Sequence, residues 1–100
     1  VTFHVLLDGQ AQRDFDEIEA YLDANAPDRT ERFLDEFEAT IAGIAEHPLL
    51  RPEVRPGVRH ESLTLFRYHL WYRVLPEIEH VEVFAALHHS RGPRVLEDRQ

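Results

Sequence analysis

The apolar residues change their spacing between the two halves of the chain, and that change decides the fold class. Between Ala11 and Ala45 they recur at helical intervals, as Ala11, Phe15, Ile18 and Leu22 and then as Phe33, Leu34, Phe37, Ile41, Ile44 and Ala45. Each set forms one stripe along a helix and leaves the charged residues to the opposite surface. From Val58 to His89 the interval shortens to two, the spacing of a strand whose side chains alternate between faces. The opening stretch Val1–Leu7 also alternates, with Val1, Phe3, Val5 and Leu7 against Thr2, His4 and Leu6. One strand, a helical segment and then a run of strands predict an α+β domain, because helices and strands are segregated rather than alternating.

Punctuation residues set the boundaries. Asp8-Gly9 ends the first strand, and Asn25-Ala26-Pro27 divides the helical segment, since proline lacks an amide donor and disfavours helical geometry in the residue before it. Asp28 with Glu31 has the spacing of a capping box that restarts the helix. The second helix is expected to run to about His47, where Pro48 stops it, and the short link makes the two helices an antiparallel hairpin. Leu49–Gly57, with Pro52, Pro56 and Gly57, reads as a loop. Val58–Leu65, Tyr68–Leu75 and His80–His89 follow as a three-stranded antiparallel meander, with Pro76-Glu77 in the last turn. The expected order is β-α-α-β-β-β in a single domain over residues 1–100, long enough for one core of its own.

Parity assigns the sheet faces. Leu70, Tyr72, Val74, Val81, Val83, Ala85 and Leu87 are expected to meet the helices. His69, Trp71, Arg73, Glu82, Phe84, Ala86 and His88 fall on the reverse, joined by Arg59 and Glu61. Trp71 and Phe84 would then be neighbouring aromatics on an exposed face, an arrangement that calls for a partner.

Charge narrows the partners. The net charge is −8, and residues 1–50 hold 12 acids against 3 Arg, whereas residues 51–100 hold 7 against 8. A field of that sign disfavours direct nucleic-acid binding. Apolar runs such as Val83–Leu87 are far short of the ~20 residues of a spanning helix, so no membrane association is expected. The chain has no Cys, which excludes disulfides, thiol catalysis and cysteine zinc sites, and a cytoplasmic address is expected. No metal site is expected: His88 and His89 are adjacent and point to opposite faces of a strand, and although His69 and His88 are placed to meet across the reverse face, no fixed-spacing metal signature occurs. Ser90 lies in neither a nucleophile elbow nor an oxyanion loop, and no glycine-rich phosphate loop is present, so no cofactor is expected.

Four stretches in this order carry a family resemblance: Ala11 to Leu22, the helix end from Ile44 to Pro48, Tyr68-His69-Leu70-Trp71-Tyr72-Arg73-Val74, and Val83 to Pro93, which contains His88-His89-Ser90-Arg91-Gly92-Pro93. The chain resembles the RelE/ParE superfamily of type II toxin–antitoxin systems, and within it the ParE-like branch. The resemblance implies a toxin held by a separately encoded, ParD-like, DNA-binding antitoxin, and, for this branch, inhibition of DNA gyrase by surface occupancy without catalysis. The segment containing Arg91, Arg94 and Arg99 is then the target contact. The antitoxin is expected to lie along the groove between hairpin and sheet, supplying Lys or Arg to Asp14, Glu17, Asp35 and Glu38, with Trp71 and Phe84 as further contacts. The RelE-like alternative is ribosome-dependent cleavage of messenger RNA. It would rest here on Arg59, Arg73 and His88 in a chain without the lysines that RelE-like members use. A third reading is a non-toxic homologue that keeps antitoxin binding alone.

Overall fold

A computed structural model describes residues 2–90 of the chain. Strand β1 (His4–Leu7) leads into helix α1 (Gly9–Asn25), helix α2 (Pro27–Glu46) and strands β2 (Glu53–Arg55), β3 (Val58–Ser62), β4 (Tyr68–Leu75) and β5 (His80–His88). The five strands form one sheet in the order β1-β5-β4-β3-β2. Only the β1–β5 pair is parallel, and the helical hairpin with strands β2 to β4 makes up the long connection that lets β1 run beside β5 in the same direction.

Local chemistry accounts for the helix ends. Asp8 caps α1, its carboxylate accepting from the Ala11 amide at 2.8 Å. Helix α2 begins two residues earlier than the Asp28–Glu31 spacing predicts: Pro27 occupies the first turn, Ala26 rather than Asp28 is the N-cap, and no side chain caps the helix. Proline is pre-set to helical φ and its missing amide is one the first turn leaves unpaired anyway, so Asp28 moves inside the first turn, where a carboxylate still favours the helix dipole. Pro48 follows the C-cap His47, as expected.

The loop predicted over Leu49–Gly57 contains β2, a strand of three residues paired antiparallel to β3. Pro52 and Pro56 flank it and hide it from pattern reading, yet proline beside a short strand at a sheet edge is tolerated because that edge lacks a neighbour to bond. Pro56-Gly57 turns the chain into β3 with Gly57 at φ 77°, a conformation that favours glycine.

The core lies between the hairpin and one face of the sheet. Phe15, Phe33 and Phe37 meet with ring centroids 4.6 to 5.9 Å apart, and Phe66 stands edge-on to Phe33 at 5.4 Å. Leu70, Tyr72, Val81 and Val83 pack beneath them, as parity predicts.

Ala85 and Leu87 do not join them. Trp71 pairs with Ala85 and Tyr72 with Val83, so Phe84 is an extra residue, a bulge that reverses the parity of β5 beyond it. Ala86 therefore faces the helices, and Ala85 and Leu87 join Val58, Trp71 and Phe84 in a second cluster on the reverse face. His88 pairs with Tyr68 on the helix side, and His89 takes the place on the reverse face expected for His88.

Candidate functional site

A concavity opens where α1 passes the ends of β4 and β5. It has two lobes of about 210 and 270 Å³ that share Tyr21, Tyr68 and His88. Asp14, Glu17 and Ile18 line the first, and Arg29, Phe66 and Arg67 line the second, so one end is acidic and the other basic. Helical spacing sets Asp14, Glu17, Ile18 and Tyr21 along one side of α1. Arg29 comes from the first turn of α2, with its guanidinium over the Phe66 ring at 4.9 Å. The β3–β4 loop that carries Phe66 and Arg67 is held by Glu36 of α2, whose carboxylate accepts from the Thr64 amide at 2.6 Å and the Leu65 amide at 2.9 Å.

Tyr68, His88 and Asp14 each have specific neighbours in the cleft. Tyr68 is half-buried, its ring edge-on to His88 at 5.4 Å, and burial, reinforced by nearby Tyr21, raises its phenol pKa above 10.0. The Nδ1 atom of His88 accepts from the Ser90 amide at 3.1 Å and lies 2.9 Å from the Ser90 hydroxyl, which in the neutral ring leaves Nε2 as the protonated nitrogen. Asp14 is 6% exposed, and its Oδ2 accepts from the Ala86 amide at 3.0 Å.

The reverse face differs in character. Arg73 bonds Glu82 at 3.0 Å and covers the Phe84 ring at 4.1 Å. His60, His69 and His89 form a run of rings, with centroids 4.7 Å apart for His60 and His69 and 4.0 Å for His69 and His89. Burial, then the neighbouring His89 and His60, push the pKa of His69 down to about 4. That of His60 is lowered for the same first reason, with Arg51 and His89 adding to it against Glu61. Trp71 Nε1, His60 Nδ1 and the Nε and Nη2 atoms of Arg55 are buried without a hydrogen-bond partner among the described residues.

These positions correct several expectations. Trp71 and Phe84 are 7% and 1% exposed, so neither is an exposed anchor: Phe84 is the bulged residue beneath Arg73, and Trp71 packs against His60 at 4.8 Å. Asp14 is buried and spent on the β5 backbone rather than standing in an exposed acidic row. Glu17, Asp35 and Glu38 are exposed as expected, but only Glu17 borders the cleft. Arg59, Arg73 and His88 do not share a face. Arg59 pairs with Tyr72 on the helix side, where it bonds the Arg51 carbonyl, and Glu61 lies on that side as well. Arg73 is on the reverse, and the bulge turns His88 into the cleft. Arg91, Arg94 and Arg99 lie outside the described residues. Among the described residues no group of three His, Asp or Glu side chains is arranged to hold a metal ion, and no helix is long and apolar enough to cross a membrane.

The family model for the ParE toxin of type II toxin–antitoxin systems (parDE) matches residues 5–93. The chain belongs to the ParE toxin family. Among curated proteins no relative matches. The ParE fold extends to solved structures at low identity. A chain of the chromosomal ParDE system from P. aeruginosa is 15% identical with a TM-score of 0.73, covering 87% of this chain and 96% of that one. The Mycobacterium tuberculosis RelBE2 toxin–antitoxin complex gives 21% identity and 0.61, over 88% and 99% of the two chains. The isolated E. coli RelE toxin gives 16% and 0.60, over 96% and 94%. This ParE-family chain is thus a type II toxin with the α+β architecture of both branches.

Sequence reasoning missed Tyr21, Arg29, Arg67 and Tyr68 as a group, because the ParE cleft draws them from α1, α2, the β3–β4 loop and the start of β4, separate segments of the chain. The available signal was Tyr21: a large aromatic set off the apolar stripe of α1, and 61% exposed in the structure.

Proposed function

We propose that this toxin acts by occupying a surface of DNA gyrase without catalysing a reaction, and that an antitoxin of the ParD type holds it inactive by binding along the hairpin and the sheet. The observation that carries the reading is the dispersal of Arg59, Arg73 and His88: Arg73 is on the reverse face, and Arg59 and His88, both on the helix side, are on β3 and β5 with β4 between them, at the levels of Tyr72 and Tyr68. General acid–base cleavage of RNA requires its groups within reach of one phosphate. Arginine also holds its proton too firmly to replace a tuned lysine as a base. Gyrase contact is assigned to the basic segment that carries Arg91, Arg94 and Arg99, and the antitoxin's basic residues to Glu17, Asp35 and Glu38.

Purified, antitoxin-free protein tests this. Inhibition of gyrase supercoiling that is lost when Arg91, Arg94 and Arg99 are all changed to Ala, with antitoxin binding kept, is the expected result. Cleavage of ribosome-bound message would replace the reading with the RelE-like one, and absence of both effects with a non-toxic homologue.

A further inference from the structure

The reverse face of the sheet is closed although neither helix lies on it. Among the described residues that face is built from strands alone, yet Val58, Trp71, Phe84, Ala85 and Leu87 form a buried cluster there. Arg73 covers one side of the Phe84 ring and His60 packs on Trp71. Two side chains do not dry five residues, so the cluster calls for a further apolar cover.

Hydrogen-bonding groups on the same face point to the chemistry of that cover. The indole N–H of Trp71 and the Nε and Nη2 atoms of Arg55 are donors only, and all three are buried with no acceptor among the described residues. Arg55 stands opposite Val58, at the β2 margin of the cluster, and Trp71 lies on β4 between Val58 of β3 and Phe84 of β5. Buried donors are normally satisfied, so whatever covers the face brings acceptors to it, and a guanidinium favours a carboxylate.

The chain itself supplies both kinds of group. β5 ends at His88, and the ring of His89 is on the reverse face, stacked on His69 at 4.0 Å. Residues 91–100 are thus joined to the margin of this face. They read Arg-Gly-Pro-Arg-Val-Leu-Glu-Asp-Arg-Gln, in which Val95 and Leu96 are the adjacent apolar pair and the only acids, Glu97 and Asp98, follow directly. From β5 to β2 is three strand spacings, about 14 Å, and from the level of Ser62 to that of Val58 is about 13 Å, a diagonal of about 20 Å. The seven residues from Ser90 to Glu97 span at most ~25 Å when extended. The order matches as well, since the apolar pair comes level with Trp71 before the acids arrive at Arg55.

We propose that the reverse face is the docking site of this chain's own C-terminal segment, with Val95 and Leu96 over Trp71 and Phe84 and a carboxylate of Glu97 or Asp98 accepting from Arg55. The docking concerns the free protein and does not depend on the identity of its target. Under the gyrase reading it fixes where on the molecule the segment bearing Arg91, Arg94 and Arg99 is presented.

Trp71 is the single tryptophan and reports on the cover directly. Acrylamide quenching of its fluorescence is measured on the full chain for the wild type, Leu96→Asp, Arg55→Glu and the charge-exchanged variant Arg55→Glu, Glu97→Arg, Asp98→Arg. The control is Ile78→Asp, at an exposed site in the β4–β5 connection. Circular dichroism checks that each variant is folded, and sedimentation at two concentrations gives its oligomeric state. The proposal expects a protected Trp71 in a monomeric wild type. It expects quenching to rise about threefold or more in Leu96→Asp and Arg55→Glu, to return to within about 1.5-fold of wild type in the exchanged variant, and to stay there in the control. Quenching of the wild type as free as in the urea-unfolded chain, or a folded Leu96→Asp variant as protected as the wild type, overturns the proposal. Protection that is lost on dilution of a dimer assigns the face to a second copy and overturns it as well. A rise in Arg55→Glu that the exchange fails to reverse overturns the carboxylate pairing.

Discussion

Asp14 shows how one side chain repairs what the chain path leaves open. Its carboxylate is buried at the point where β5 loses its parallel neighbour, and it accepts the Ala86 amide. Asp14→Ala is therefore expected to lower unfolding stability by about 1–3 kcal/mol, the cost of a buried donor left without its acceptor. Asp14→Asn, which keeps a carbonyl oxygen there, should lose less. Urea denaturation of the two variants checks this, and equal losses would contradict the assignment. From sequence alone Asp14 was indistinguishable from Asp16 or Glu19, because periodicity places a residue on a helix side without showing what stands opposite. His69 gives the second prediction at this scale. Its pKa is about 4 in the fold against 6.5 for an ordinary histidine, so the unfolded chain takes up the extra proton as pH falls. The stability associated with the neutral ring is complete above pH 6.5 and is lost progressively as pH falls toward 4. The groups facing the ring are His60 and Ser62 on β3, Trp71 on its own strand and His89 beyond β5. NMR titration should show the His69 ring unprotonated at pH 6, and His69→Asn should flatten the stability profile between those limits. A ring that titrates near its ordinary value would contradict the burial argument.

Among the elements, β5 departs furthest from its sequence pattern. Val81 and Val83 obey the alternation, but the extra residue at Phe84 exchanges the faces of everything after it, including the two adjacent histidines. A bulge adds one residue to one strand of a pair, and nothing in Val83-Phe84-Ala85-Ala86-Leu87 marks which residue is extra, since all five are apolar. The helices and the boundaries of β4 were legible because long periodic segments average over single residues. β2 was not, being three residues between two prolines. The connection between β3 and β4 depends on Glu36, whose two oxygens hold the Thr64 and Leu65 amides across a long sequence separation. Glu36→Ala should cost about 1 kcal/mol, at the low end for charge-assisted bonds because the site is solvent-exposed. It should also speed hydrogen exchange at those two amides while leaving β4 and β5 unchanged. Uniform acceleration along the chain would mean that Glu36 supports the whole fold rather than this loop.

For the molecule as a whole, the core and the function separate by position. Phe33 is 0% exposed and touches Phe15, Phe37, Phe66 and Tyr68, so it joins the hairpin to the sheet. Phe33→Ala should destabilise by about 3–5 kcal/mol, measured as a fall in the denaturation midpoint followed through the single Trp71. The acidic helical half is where the proposed antitoxin contact is assigned. If Glu17, Asp35 and Glu38 meet basic residues of the antitoxin, affinity falls as ionic strength rises, because exposed charges are screened beyond a Debye length of ~10 Å at 0.1 M salt. An affinity independent of salt would remove the electrostatic part of that interface. The central claim, a toxin that works by binding rather than by chemistry, meets its most direct test in a gyrase supercoiling assay with the triple variant Arg59→Ala, Arg73→Ala, His88→Ala. The account predicts inhibition equal to that of the wild type. Loss of toxicity in that folded variant, together with cleavage of ribosome-bound message by the wild type, would contradict it.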